Sequence, residues 1–270
     1  MKAISPNAFA PPAANALLRE QVRRLERAHS VQRTGQSAIP LGVPAIDRLL
    51  PEGGLLTGAL HEIEAGPAPS GRVAPHDGAA LGFAAHALGR LPPIGSRGTI
   101  LWCRKPGAFD APPYAPALAR WFDPARLLLV TAKRDEDVFW ALEEGLRCPG
   151  IAAVLGETRS VDATVGRRLS LAAEKSGVPA FLLRPEPAPP QSICVTRLCV
   201  ASAPSPSTPG LADVGAPRWH VQLRRNRFGK DAAVEIPTWL VEWSDETHCL
   251  SVVPQALDGS ARQIEQRLVG

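Results

Sequence analysis

Short apolar runs separated by polar stretches set the rhythm of the chain from residue 58 to residue 184. GALHEIEA (58–65), GTILWCR (98–104), RLLLVTA (126–132), IAAVLGE (151–157) and VPAFLLR (178–184) are rich in Ile, Leu and Val, with gaps long enough for crossover helices. Near-continuous apolarity is what a strand shows when both faces of its sheet are covered, so these runs predict a mostly parallel sheet flanked by helices. Two gaps carry helix signals. In DEDVFWALEEGLRC, Val138, Leu142 and Leu146 share a face, Asp135 stands where a cap is wanted, and Pro149 ends the run. In DATVGRRLSLAAEKSG, Asp162 can cap the start and Gly177 the end. Beyond residue 190 the helical pattern stops, and SICVTRLCVA, RWHVQLRRNR, TWLVEW and HCLSVVP read as strands of a C-terminal antiparallel extension. Trp219, Trp239 and Trp243 fall at strand spacing, which suits core or interface better than a base-stacking platform.

The flanks differ from this centre. Residues 13–29, AANALLREQVRRLERAH, place Leu18, Val22 and Leu25 on one helical stripe, and VQRTGQSAIP links that candidate docking helix to the rest. The reading divides the chain into an N-terminal tail and helix (1–35), an α/β core (36–253) with a proline-rich loop at 202–217, and a C-terminal tail (254–270). Proline, 28 residues in all, gathers in the first twelve residues, at 185–190 and at 203–210, where it resists helix and sheet alike. No apolar run approaches the roughly 18 residues of a membrane span, and the N-terminus has no secretory block, so the expected location is the cytoplasm. The five cysteines are widely spaced without a Cys-x-x-Cys pair, and are expected to be reduced and mostly buried, with no metal site. The net charge of +4 is mild and does not by itself argue for a polyanionic partner.

Candidate chemistry begins at GPAPSGRV, residues 66–73. Gly66 and Gly71 have the spacing of a phosphate-binding loop, whose backbone N–H groups cradle phosphate at a helix N-terminus. Such a loop wants a lysine and a hydroxyl residue next, and this chain has Arg72 and Val73. A guanidinium fork is a poor replacement for a compact ammonium, and valine cannot ligate magnesium. Pro75, Gly78 and Gly82 should also weaken the supporting helix. His61 and Glu62 face opposite ways on a strand, and His76 and Asp77 lack a third ligand at a recognisable spacing. Ser70 has no marked base, so hydrolase chemistry is unsupported.

The stretch IPLGVPAIDRLLPEGGLLTGALHEIEAGPAPSG (39–71) resembles the entry to a RecA-type ATPase core: a Gly-x-x-x-hydrophobic-Asp start, a double glycine, a Glu-bearing strand and the phosphate loop. Within that superfamily the chain most resembles the ImuA family, and LRRNRFGK (223–230) fits the family's basic strand-turn segment. The resemblance covers residues 39–253 and implies a RecA-like core. It also implies a role in the bacterial DNA-damage response, beside an ImuB-like protein and an error-prone replicative-type polymerase. DNA, RecA and a second copy of the chain are further partners the resemblance leaves open.

Aligned on that resemblance, the magnesium-orienting aspartate falls at Gly156, with Glu157 one residue on, and the catalytic glutamate falls at Arg104 and Lys105. A cation cannot act as the base that polarises water. The expectation is therefore a noncatalytic accessory protein with no cofactor, its phosphate loop (Gly66, Gly71, Arg72) vestigial. A weak nucleotide-dependent switch or ATPase is the rival. A direct DNA-binding factor is the third reading; it would use Arg224, Arg225, Arg227 and Lys230, a patch whose bland alternative is a solvated edge strand.

Overall fold

The structure, a computed structural model, describes residues 37–67, 78–91, 98–107, 113–187, 192–206, 215–228 and 236–254. All of these lie in a unit running from Ser37 onward. The docking stripe Leu18, Val22 and Leu25, residues 255–270 of the C-terminal tail, and the middle of the proline-rich loop lie outside the described residues.

The unit opens with a two-stranded antiparallel ribbon, β1 (Ala38–Ile39) and β2 (Leu55–Leu56), enclosing the short helix α1 (Pro44–Asp47). The Gly-x-x-x-hydrophobic-Asp motif has a local mechanical role here. The Asp47 carboxylate accepts from the backbone N–H groups of Leu41 (2.8 Å), Gly42 (3.0 Å) and Val43 (3.0 Å), folding the chain back on itself. Burial raises its pKa against those three hydrogen bonds.

The main sheet has nine strands: β3 (Leu60–Ala65), β4 (Thr99–Arg104), β5 (Leu127–Thr131), β6 (Ile151–Glu157), β7 (Ala180–Arg184), β8 (Thr196–Ala203), β9 (Arg218–Asn226), β10 (Thr238–Ser244) and β11 (Cys249–Val252). Their order is β11-β10-β9-β8-β3-β7-β6-β4-β5. From β5 through β8 every pairing is parallel. From β8 outward to β11 every pairing is antiparallel. This is the expected α/β plan, a mostly parallel sheet with an antiparallel extension.

Helices cover both faces. On one, α2 (Ala79–Gly89) joins Trp102, Phe181, Trp219 and Trp243 in the larger apolar core, to which α3 (Ala115–Leu118) adds Leu118. On the other, α4 (Asp135–Arg147) and α5 (Ala163–Ser176) pack with Leu101, Val154 and Leu182. The expected α4 face of Val138, Leu142 and Leu146 is buried, as are Cys103, Cys194 and Cys199, whereas Cys148 and Cys249 are exposed. Trp219 and Trp243 are core residues, and Trp239 is partly buried against the same core.

Asp162 caps α5 as expected, accepting from Thr164 N–H (2.7 Å) and Val165 N–H (2.8 Å), and Gly177 ends it with a left-handed φ of 76°. Two local expectations are corrected. Asp135 does not cap α4: it is the first helical residue, after Arg134, and its carboxylate instead receives Lys105. Gly82 does not spoil α2, because tertiary packing overrides its weak propensity. A Cβ there would stand 3.0 Å from Trp219, so the glycine lets helix and sheet approach. No helix among the described residues is long and apolar enough to cross a membrane.

Candidate functional site

In a parallel sheet, loops that bind ligands gather at the C-terminal ends of the strands, and Gly66, Arg104, Lys105, Gly156 and Glu157 lie there, whereas Arg224, Arg225 and Arg227 lie at the opposite end, beside the start of β8. Gly66 follows β3 directly. Its N–H donates to the Val200 carbonyl at 2.8 Å, and a Cβ on it would come within 2.6 Å of the Cys199 sulfur. Close packing on β8 therefore requires glycine here whether or not phosphate is bound. Gly71 and Arg72, with Val73, lie outside the described residues, as do Ser70, His76 and Asp77.

At the ends of β4 and β6, Arg104 and Glu157 face each other, both buried, with Nε 3.5 Å from Oε2. The other Glu157 oxygen accepts from the Trp102 indole at 2.8 Å. Burial raises the Glu157 pKa, while the Trp102 hydrogen bond and then the Arg104 charge pull it back. Gly156 points to the opposite face, as strand alternation requires. A Cβ there would lie 2.6 Å from Leu142 of α4, leaving no room for an aspartate. The face shared with α2 belongs to Glu157, so the acid at this strand end stands one residue later than the aligned position.

The rest of the rim is similarly tied. Lys105 Nζ meets the Asp135 carboxylate at 2.5 Å, across a half-exposed gap. The Thr158 hydroxyl donates to the Ser160 carbonyl at 2.8 Å. At the end of β7, Arg184 donates to the Arg159 carbonyl (2.6 Å), and Arg159 reaches the Gly107 carbonyl (2.7 Å) and the Glu186 carboxylate (2.5 Å). Arg104, Lys105, Arg159 and Arg184 each have an acid or a carbonyl from the chain itself.

A second cluster, under β3 and β8, escaped the sequence reading. Glu62 accepts from Ser192 Oγ at 2.6 Å and from Arg197 Nε at 2.8 Å. Arg197 Nε also lies 3.9 Å from Glu64, whose other oxygen is 3.3 Å from Arg224 Nη1. Glu62, Glu64 and Arg197 are all buried, Glu64 completely. The available signal was two glutamates at alternate positions of a short strand whose neighbouring strands are apolar runs, and such carboxylates are not buried without a cation or other partner. His61 is on the other face, with Nε2 2.8 Å from the Leu56 carbonyl and its ring 5.4 Å from that of Phe181. Burial lowers its pKa to about 4.

The candidate basic patch is divided by the geometry of β9. Arg224 is the extra residue of a bulge, since Arg197 pairs with Arg225 and Leu198 with Leu223, and it turns toward Glu64. Arg225 donates to the Cys194 carbonyl at 2.8 Å. The Arg227 guanidinium sits 5.4 Å from the centre of the Phe228 ring and is exposed; Lys230 lies outside the described residues. β9 is not an edge strand, being hydrogen-bonded between β8 and β10, although its pairing to β10 stops at Gln222.

No protein-family model matches the chain. Among curated proteins, it is 30% identical over 233 residues to Protein ImuA of Caulobacter vibrioides strain NA1000 / CB15N, a match spanning 80% of this chain and 87% of that protein. Protein ImuA of the strain ATCC 19089 / CIP 103742 / CB 15 matches with the same identity and coverage.

Proposed function

Because the chain belongs to the ImuA family, we propose that it is a noncatalytic, RecA-like accessory protein of damage-induced mutagenic translesion DNA synthesis. It acts in the cytoplasm as an interaction scaffold beside an ImuB-like protein and an error-prone polymerase. The observation that carries the reading is the state of the two strand ends where an ATPase needs its acids. At β6, Leu142 fills the space that a side chain at Gly156 would take, and the neighbouring Glu157 is held by Trp102 and Arg104. At β4, the base position carries Arg104 and Lys105, each engaged with a carboxylate. The parallel core with an antiparallel extension, and the glycine loop leaving the central strand β3, support the RecA-like reading.

One observation favours the rival reading of a nucleotide-dependent switch: Glu157 lies on the α2 face, where an acid could approach a bound nucleotide once Arg104 moved. Complementation separates the two. A strain lacking the protein should lose damage-induced mutagenesis, and the Arg72→Ala chain should restore it fully if no nucleotide step is used. Failure of a stably accumulating Arg72→Ala protein to complement would overturn the noncatalytic reading in favour of the switch.

A further inference from the structure

β5 is the outermost strand on the parallel side of the sheet, paired on one side with β4 and, among the described residues, with nothing on the other. Its sequence, LLLVT, carries no charge, and Leu128 and Leu129 are 50% and 39% exposed. Folded proteins usually protect such an edge with charge, proline or a bulge, because its open N–H and C=O groups template pairing with another strand. This edge has none of these protections.

We infer that β5 is a self-association edge, on which a second copy of the chain pairs its own β5 antiparallel about a two-fold axis at Leu129. Three features of the strand fit that occupant. The first is hydrogen-bond phase. Ala132 N–H donates to the Arg104 carbonyl across the β4 side at 2.8 Å. Alternation along the strand then turns the N–H and C=O groups of Thr131, Leu129 and Leu127 to the open side. A two-fold axis at Leu129 places Leu129 opposite itself and Leu127 opposite Thr131, so these outward groups meet one another.

The second feature is the match of side chains. Leu127 packs with the α2-face core and Val130 with the α4-face core. In the paired sheet Leu129 meets Leu129 of the second copy on the α2 side, and Leu128 meets Val130 of the second copy on the α4 side. Both exposed leucines are covered by apolar partners. The third is charge: no charged residue within either strand is brought opposite another, so nothing in the paired segment opposes the isologous contact. A single strand pair buries less than the roughly 1,000 Å² typical of a stable interface, which makes this dimer reversible.

Sedimentation velocity of the full chain, from dilute to concentrated solution, tests the edge. The expected result is a monomer–dimer equilibrium that disappears in Leu128→Lys and in Leu129→Pro, with the far-UV spectrum and melting temperature of the monomer retained. Proline removes an outward N–H and leaves the β4 pairing intact, so its effect reads the backbone contact. Register is read by crosslinking in a background where the exposed Cys148 and Cys249 are serine. Leu129→Cys should form an interchain disulfide on mild oxidation and Leu127→Cys should not, because Leu127 lies opposite Thr131. A monomer at every concentration overturns the inference, as does a dimer insensitive to both edge variants or equal crosslinking at the two positions.

Discussion

Arg197→Met takes one guanidinium from between two buried glutamates and leaves a side chain of comparable length. In the native chain, Arg197 Nε donates to Glu62 at 2.8 Å and lies 3.9 Å from Glu64, with all three residues 4% exposed or less. Removing one partner of a buried ion pair costs about 3–5 kcal/mol, because the charge left behind is neither hydrated nor compensated. Here two carboxylates lose that cation, while Ser192 still donates to Glu62 and Arg224 still lies beside Glu64, which holds the loss within that range.

Urea unfolding followed by fluorescence of the buried tryptophans measures it. The midpoint should fall markedly at neutral pH. Glu62→Gln combined with Arg197→Met should cost less than Arg197→Met alone. A loss below about 1 kcal/mol is the behaviour of a hydrated surface pair and would refute the reasoning.

Gly156→Ala should lower stability by about 1–3 kcal/mol in a melting experiment, since its Cβ would meet Leu142 at 2.6 Å; a neutral outcome would mean that the space is open. Asp162→Ala should cost about 1 kcal/mol through loss of the α5 cap, read from the denaturant midpoint. His61 and His86 are held neutral, with pKa lowered by burial to about 4 from 6.5. The unfolded chain therefore binds their protons first, so their contribution is full above pH 6.5 and is lost as pH falls toward 4. His86→Asn should flatten the acid slope of the melting temperature relative to the native chain, and an unchanged slope would contradict that assignment.

The parallel strands were legible because strands covered on both faces are written as apolar runs, and α4 and α5 because their faces repeat and their ends carry proline, aspartate or glycine. α2 was harder to read. AALGFAAHALG is apolar nearly all round, so a buried helix leaves no period, and its glycines argue against helix until their close neighbours are known. At the rim, the incompatible residues were visible as letters, but what neutralises them was not. Arg104 and Glu157 lie 53 positions apart and meet only because β4 and β6 are neighbours. The Glu62–Arg197 contact spans 135 positions and crosses from a parallel strand into the one that begins the antiparallel extension. Pairing of that kind follows from sheet order, which local patterning does not encode. The bulge at Arg224, which splits a run of cations into different surroundings, is likewise a property of strand register.

On the proposed noncatalytic reading, the C-terminal strand ends serve as scaffold and hydrolyse no nucleotide. ATP turnover by the purified chain is the decisive assay, run with and without single-stranded DNA and with and without an ImuB-like protein. Phosphate release should be indistinguishable from the no-protein control in every combination, with any capture of the ImuB-like protein unaffected by ATP. Turnover that rises with DNA or partner, and falls in Arg72→Ala and Glu157→Gln variants that remain folded, would contradict it.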